Sequence, residues 1–272
     1  MAERFDGGAG VNSSASALFL HGGPGLSCGI ERLWFEHTLP ICWWDQPQIV
    51  NDRAAPFSQL VDAAMDKLRG MEDEAGGPIA LVAHSFGVQI ALALVRKAPE
   101  QVKELTILAS GPNPLSSLFR LCRRLTEIQS SPELEAAIAN AEKHLDPQSF
   151  KSMVLLAASH PAYPAVYFGP DAAARDRYLS YLPQTRPLDL ETFLNVMGDF
   201  LRSPDVEPID SFHGQVTVVF GCHDPLLPVE ETFKDWKRIF PRVQTEVINS
   251  AHFIHLEAPP ESWFQETFRH VA

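Results

Sequence analysis

Residues 79–95 read IALVAHSFGVQIALALV, and the point at which this stretch changes its periodicity decides the fold. Ile79, Ala80, Leu81, Val82 and Ala83 form an unbroken apolar run, the pattern of a strand covered on both faces, as in a parallel sheet. Gly76, Gly77 and Pro78 bound it upstream. Beyond Gly87, the apolar residues Val88, Ala91, Leu92 and Val95 fall at helical spacing. A predicted strand therefore passes into a predicted helix through a very short turn, with Ser85 at its apex. So tight a turn strains the backbone of the apex residue and needs small neighbours on either side, which Ala83 and Gly87 supply. It aims the Ser85 hydroxyl out of the top of the sheet and leaves the Phe86 N–H at a helix N-terminus, where an anion is stabilised. A literal Gly-x-Ser-x-Gly stands elsewhere, at Gly25 to Gly29, but Ser27 there follows a Gly-Gly-Pro-Gly turn that no strand enters directly, so it lacks this geometry.

Working outward, apolar runs at 17–20, 39–44, 105–109 and 216–220, with a last strand at 244–248, add to the one at 79–83, giving about six in a mostly parallel sheet. Helices are expected at 30–37, at 57–71 with Leu60, Val61, Ala64, Leu68 and Met71 on one face, and at 261–269. Residues 6–16, small and polar, read as a flexible lead-in. After Pro112 the strand-helix alternation stops: up to about residue 214, only helical patterns occur, at 115–125, 134–141, 150–157 and 190–201. The expected organisation is an α/β core of residues 1–112 and 212–272, flanked by helices and interrupted by an all-helical cap over 113–211.

With 45% hydrophobic residues in 272, the chain can bury one large core or one core carrying an insertion. A formal charge of −12 argues against nucleic acid and anionic membrane surfaces as partners. No run approaches the about 20 apolar residues of a membrane span, and the N-terminus lacks signal-peptide character. Cys28, Cys42, Cys122 and Cys222 show no paired spacing, which fits reduced thiols and a cytosolic setting better than disulfides or a metal site.

The AHSFG turn, the HGGPG run at residues 21–25, the Trp44-Asp45-Gln46-Pro47 strand exit, the Gly221-Cys222-His223-Asp224-Pro225 loop and the AHFIHLEAPPE run at 251–261 together resemble the α/β-hydrolase family. The HGGPG form resembles its proline iminopeptidase subgroup. The resemblance implies a nucleophile, acid and histidine in chain order, carried by Ser85, Asp224 and His252, and an oxyanion hole formed by the N–H groups of Gly23 and Phe86. It implies neither a metal nor an organic cofactor. Alanine stands for glycine before Ser85 and before His252, and only sixteen residues precede the first strand, so the sheet is shortened at that edge. His255 is the rival base; His84 and His21 read as structural, His223 as exposed and Asp45 as a turn-fixing carboxylate.

A serine nucleophile argues against the dehalogenase and epoxide hydrolase chemistries of this fold, which use a carboxylate. Acyl transfer to water is expected. Phe150, Met153, Tyr163, Tyr167, Phe168, Phe193, Met197 and Phe200 of the cap are the candidate lining residues, favouring a small hydrophobic ester or lactone. An aminopeptidase would need a cap carboxylate for the substrate ammonium, with Glu127, Glu133 or Asp171 as candidates. A ligand receptor with slow turnover on the same fold is a third reading, and oligomeric state is left open.

Overall fold

The computed structural model describes residues 15–36, 38–49, 55–170, 172–201 and 206–264. Six strands, β1 (Ala17–Leu20), β2 (Ile41–Trp44), β3 (Ile79–His84), β4 (Val102–Leu108), β5 (Gln215–Gly221) and β6 (Gln244–Ile248), pair in the order β2-β1-β3-β4-β5-β6. Every pairing is parallel. Parallel strands need crossovers and helical cover on both faces, which is why β1 and the first five residues of β3 are apolar. All residues of β1 and β3 are buried. The edge strand β6 keeps Val247 54% exposed.

The chain leaves β1 for β2 on one side and returns to β3 on the other. This order reversal opens a crevice above the C-terminal ends of β1 and β3, the place where open α/β sheets bind ligands. It is where the two glycine-bearing turns of the sequence, after Leu20 and after His84, come together.

The helices are α1 (Gly29–Phe35), α2 (Pro56–Ala75), α3 (Gly87–Lys97), α4 (Pro114–Ile128), α5 (Pro132–Lys143), α6 (Pro147–Ala158), α7 (Ala172–Tyr181), α8 (Leu190–Phe200), α9 (Val229–Ile239) and α10 (Ile254–Glu257). Helices α4 to α8 all lie between β4 and β5. Four of these five start at a side-chain cap: Asn113, Ser131, Asp146 and Asp189 each accept from backbone N–H groups in the first turn of the helix that follows. Proline follows the first three caps, where its missing N–H costs nothing. By contrast, α1, α2, α3, α9 and α10 carry no side-chain cap.

Several boundaries move. The second strand starts at Ile41 and the fourth at Val102, whose polar followers Lys103 and Glu104 hid it from a search for apolar runs. Helix α2 spans Pro56–Ala75, because its final turn is exposed and adds no apolar period. Helix α7 has no sequence counterpart: it buries no residue and has no apolar face to detect. Of the expected helix at 261–269, the described part holds a 3-10 turn over Pro260–Ser262, and residues 265–269 lie outside the described residues. The lead-in at 6–14 and Asp171 also lie outside them.

Candidate active site

Ser85 follows the last residue of β3, and its φ of 50° puts a non-glycine residue in the left-handed region, a strained conformation that surrounding structure must enforce. Its N–H donates to the Leu108 carbonyl at 3.0 Å. A β-carbon on Gly87 would sit 2.0 Å from the Leu20 carbonyl oxygen and 2.7 Å from that of His21. Only glycine lets α3 start this close to the end of β1. Ala83 is fully buried between Leu20 and Ile107 of the neighbouring strands, so the methyl that replaces the usual glycine is accommodated within the sheet.

The loops after β5 and β6 are pressed together in the same way: a β-carbon on Gly221 would meet the Ala251 carbonyl oxygen at 2.2 Å. This brings Asp224 to His252. The His252 Nδ1–H donates to Asp224 Oδ2 at 2.9 Å, and His252 Nε2 lies 3.0 Å from Ser85 Oγ, placed to accept its proton. Asp224 Oδ1 accepts from the Leu226 N–H at 2.8 Å. His252 and Asp224 are 4% and 9% exposed, so the line of bonds is shielded from competing water.

The backbone of His252 is held on both sides. Its N–H donates to the Tyr167 carbonyl at 3.0 Å, and its carbonyl accepts from His84 Nε2–H at 3.0 Å. Burial pushes the His84 pKa well below its ordinary value, and a neutral ring with its proton on Nε2 is the form this bond requires. The Glu257 carboxylate accepts from the Ala251 N–H at 3.1 Å and from the Gly169 N–H at 2.9 Å. Burial raises the Glu257 pKa, and those two N–H groups oppose the rise by stabilising the charged form.

In the turn after β1, His21 Nδ1–H donates to the Gly22 carbonyl at 2.8 Å, its Nε2 accepts from the Gln46 N–H at 3.2 Å, and Gln46 Nε2 donates to the His21 carbonyl at 2.9 Å. Burial lowers the His21 pKa, keeping this brace neutral. Gly23 adopts a φ of 63°. Among the described residues, neither the Gly23 N–H nor the Phe86 N–H has an acceptor.

The remaining sequence candidates separate cleanly. His255 Nε2 lies 3.1 Å from Glu31 Oε1 in a buried pair and does not reach Ser85. His223 is exposed and bonds Asn249. Asp45 accepts from the Cys28 N–H and takes both its oxygens to Arg32 Nη2, a turn-fixing role. Ser27 accepts from the Gly29 N–H at 3.4 Å. Glu127 and Glu133 are exposed, Glu127 paired with Arg124.

Among the eight candidate lining residues, Tyr167 comes to the site, its ring centroid 5.3 Å from that of His252. Tyr163 meets Tyr167 at 5.5 Å, and Phe168 stacks on Phe253 at 5.0 Å. Phe150 and Met153 are buried on α6, which packs chiefly against α5, α4 and α8; Met197 is buried and Phe193 half-buried on α8. Phe200 joins a group that sequence reasoning did not assemble. Its ring lies 5.5 Å from Phe86 and 4.9 Å from Phe57, and Phe57 lies 6.2 Å from Phe86, all edge to face. Asp199 Oδ2 accepts from the Phe57 N–H at 2.9 Å and holds α8 against the start of α2.

A strained serine at a strand-to-helix turn, a buried histidine and aspartate from two later loops, and a parallel sheet whose order reverses beneath them coincide with a known pattern: the alpha/beta hydrolase family model matches residues 17–265. The chain belongs to the alpha/beta hydrolase family. It is similar to the lipase LipV of Mycobacterium tuberculosis, at 29% identity over 140 residues, 49% of this chain and 51% of that protein. The chain thus spans about half the length of the curated relative it matches. A proline iminopeptidase-related protein from Thermus thermophilus shares the fold with a TM-score of 0.62 at 19% identity, covering 93% of this chain and 88% of that one. A thermophilic esterase from Thermogutta terrifontis does so with a TM-score of 0.56 at 18% identity, covering 90% and 85%. Among the described residues, no helix of this family member is long and apolar enough to cross a membrane.

Proposed function

We propose that this chain is a serine hydrolase that cleaves a carboxylic ester or lactone of a small apolar molecule through an acyl-enzyme. The observation that carries the reading is the bond line Ser85 Oγ to His252 Nε2 (3.0 Å) and His252 Nδ1 to Asp224 Oδ2 (2.9 Å) at a serine with φ of 50°. Ser85 Oγ attacks the substrate carbonyl while His252 Nε2 takes its proton. Asp224 holds the imidazole in the tautomer that can accept and stabilises the imidazolium. The unengaged N–H groups of Gly23 and Phe86 receive the oxyanion, the latter aided by the dipole of α3. His252 then protonates the leaving alcohol, and a water activated by the same base releases the acid.

In this reading residues 113–211 are a cap over the site and residues 1–112 and 212–272 the core. Tyr163, Tyr167, Phe168, Phe193 and Met197, with the aromatic group of Phe57, Phe86 and Phe200, make the apolar walls, and Phe150 and Met153 back them from α6. Each acyl methylene removed from water there contributes about 0.8 kcal/mol. The lipase and esterase among its relatives support an ester bond, and four free thiols support a reducing cytosolic setting. Nothing in the placement of Glu127 or Glu133 favours the aminopeptidase alternative of the HGGPG subgroup.

The test is turnover on a panel of short esters, lactones and aminoacyl amides, with a serine-directed phosphonate as a label. Ser85→Ala should lower turnover by about 1,000-fold or more, Ser27→Ala should leave it intact, and the phosphonate should mark the peptide containing Ser85. A dead Ser27→Ala variant, or a label on any other serine, overturns the reading.

A further inference from the structure

The cap and the loop carrying His252 are joined by a reciprocal set of main-chain bonds that the proposed reaction does not itself use. From one side the His252 N–H donates to the Tyr167 carbonyl. From the other, a single side chain spans both segments: Glu257 Oε1 takes the Ala251 N–H and Oε2 takes the Gly169 N–H. Ala251 immediately precedes His252 and is fully buried. Gly169 follows the aromatic run whose Tyr167 ring stands 5.3 Å from the imidazole. The fit is close, because a β-carbon on Gly169 would sit 3.0 Å from Glu257 Oε2 and 3.7 Å from the Ala251 β-carbon.

We infer that Glu257 is a positioning residue for the proposed hydrolysis: its carboxylate fixes the approach of His252 Nε2 to Ser85 Oγ and ties that approach to the 163–169 segment of the cap. The inference rests on His252 acting as the base. Glu257 itself does not touch the reacting atoms, since each of its oxygens is engaged by a backbone donor. Its effect comes from geometry. Only an ionised carboxylate presents two acceptors to two N–H groups at once, so an amide at this position must turn its NH2 toward one of them. The freed donor is Ala251 or Gly169, and either one releases the loop on which the imidazole rides.

Glu257→Gln, which keeps the volume and removes one acceptor, should lower kcat on a short p-nitrophenyl ester by about 10- to 100-fold, the scale of a small misplacement of a reacting group, while KM stays within about threefold. The rate of phosphonate labelling of Ser85 should fall by the same factor, and the low-field proton resonance of His252 Nδ1–H should shift or broaden, a signature that loss of stability alone does not produce. Should Glu257→Gln fail to fold, Gly169→Ala tests the same contact by crowding Oε2, with a smaller fall in kcat, about threefold to tenfold. Wild-type kcat, labelling rate and proton resonance in Glu257→Gln, alongside an inactive Ser85→Ala, would overturn the inference and leave the hydrolase reading standing. An active Ser85→Ala would overturn the hydrolase reading instead.

Discussion

The helices of the core and the helices between β4 and β5 start in opposite ways. In the inserted stretch, Asn113, Ser131, Asp146 and Asp189 satisfy orphan N–H groups of α4, α5, α6 and α8 with their own side chains. In the core, α1, α2, α3 and α9 begin without such a cap. Capped starts make a helix locally self-sufficient, so it can sit on a surface without demanding one geometry. An uncapped start has to be held by close packing, and the N–H groups it leaves over are available to a ligand. The α3 start shows both: Gly87 lies against the β1 backbone and the Phe86 N–H is unengaged. The α2 start is a hybrid, because its Phe57 N–H is taken by Asp199 at the far end of α8.

That contrast breaks most visibly at glycine. Gly87→Ala forces a β-carbon onto the Leu20 carbonyl, at 2.0 Å, and should cost about 3 kcal/mol or more, read as a large fall in Tm with loss of turnover. An unchanged Tm would show that the strand-to-helix turn has room. A middling effect is expected at the cap of α8: Asp189 accepts from the Glu191 and Thr192 N–H groups and from Thr192 Oγ1, and Asp189→Ala should cost about 1–2 kcal/mol in urea titration. Its KM for apolar esters should rise as the start of α8 loosens, by an amount limited by the backbone bond from the residue 189 N–H to the Gly25 carbonyl, which alanine keeps. Gly198 in α8 is the counter-case. A β-carbon there meets nothing within 4 Å, and Gly198→Ala should raise stability by about 0.5–1 kcal/mol without altering kcat; a destabilised Gly198→Ala would mean that the insertion is packed as tightly as the core.

The same contrast governs what could be read in advance. The switch of periodicity around Ser85, Gly87 and the glycines after β1 are legible because a close backbone approach tolerates few residue types, whereas Asp224 and His252 are legible through the resemblance of their loops to the family's, since the strand that leads to His252, Gln244–Ile248, is largely polar. Helix α7 was invisible because it buries nothing. The Phe57, Phe86 and Phe200 group was invisible for another reason: Phe57 and Asp199 are 142 residues apart, and no local pattern marks residues that meet only through topology. Glu31 and His255 are 224 apart and buried together, so a histidine that looked like a rival base has a partner that sequence spacing could not supply. Glu257 stands within the 251–261 run that resembles the family's, but the resemblance assigns it no contact, and its bonds to the Ala251 and Gly169 N–H groups emerge only in the fold.

Tyr167 touches His252 through its carbonyl oxygen, an atom that every amino acid possesses. Side chains along residues 163–168 can therefore be exchanged while the hydrogen bond to the imidazole loop persists, and Gly169, where the space is already taken, marks the limit of that freedom. The hydrogen bond to the imidazole loop is thus encoded by the path of the chain and not by any one side chain, whereas the ring contacts of Tyr167 and Phe168 with Phe253 depend on residue type.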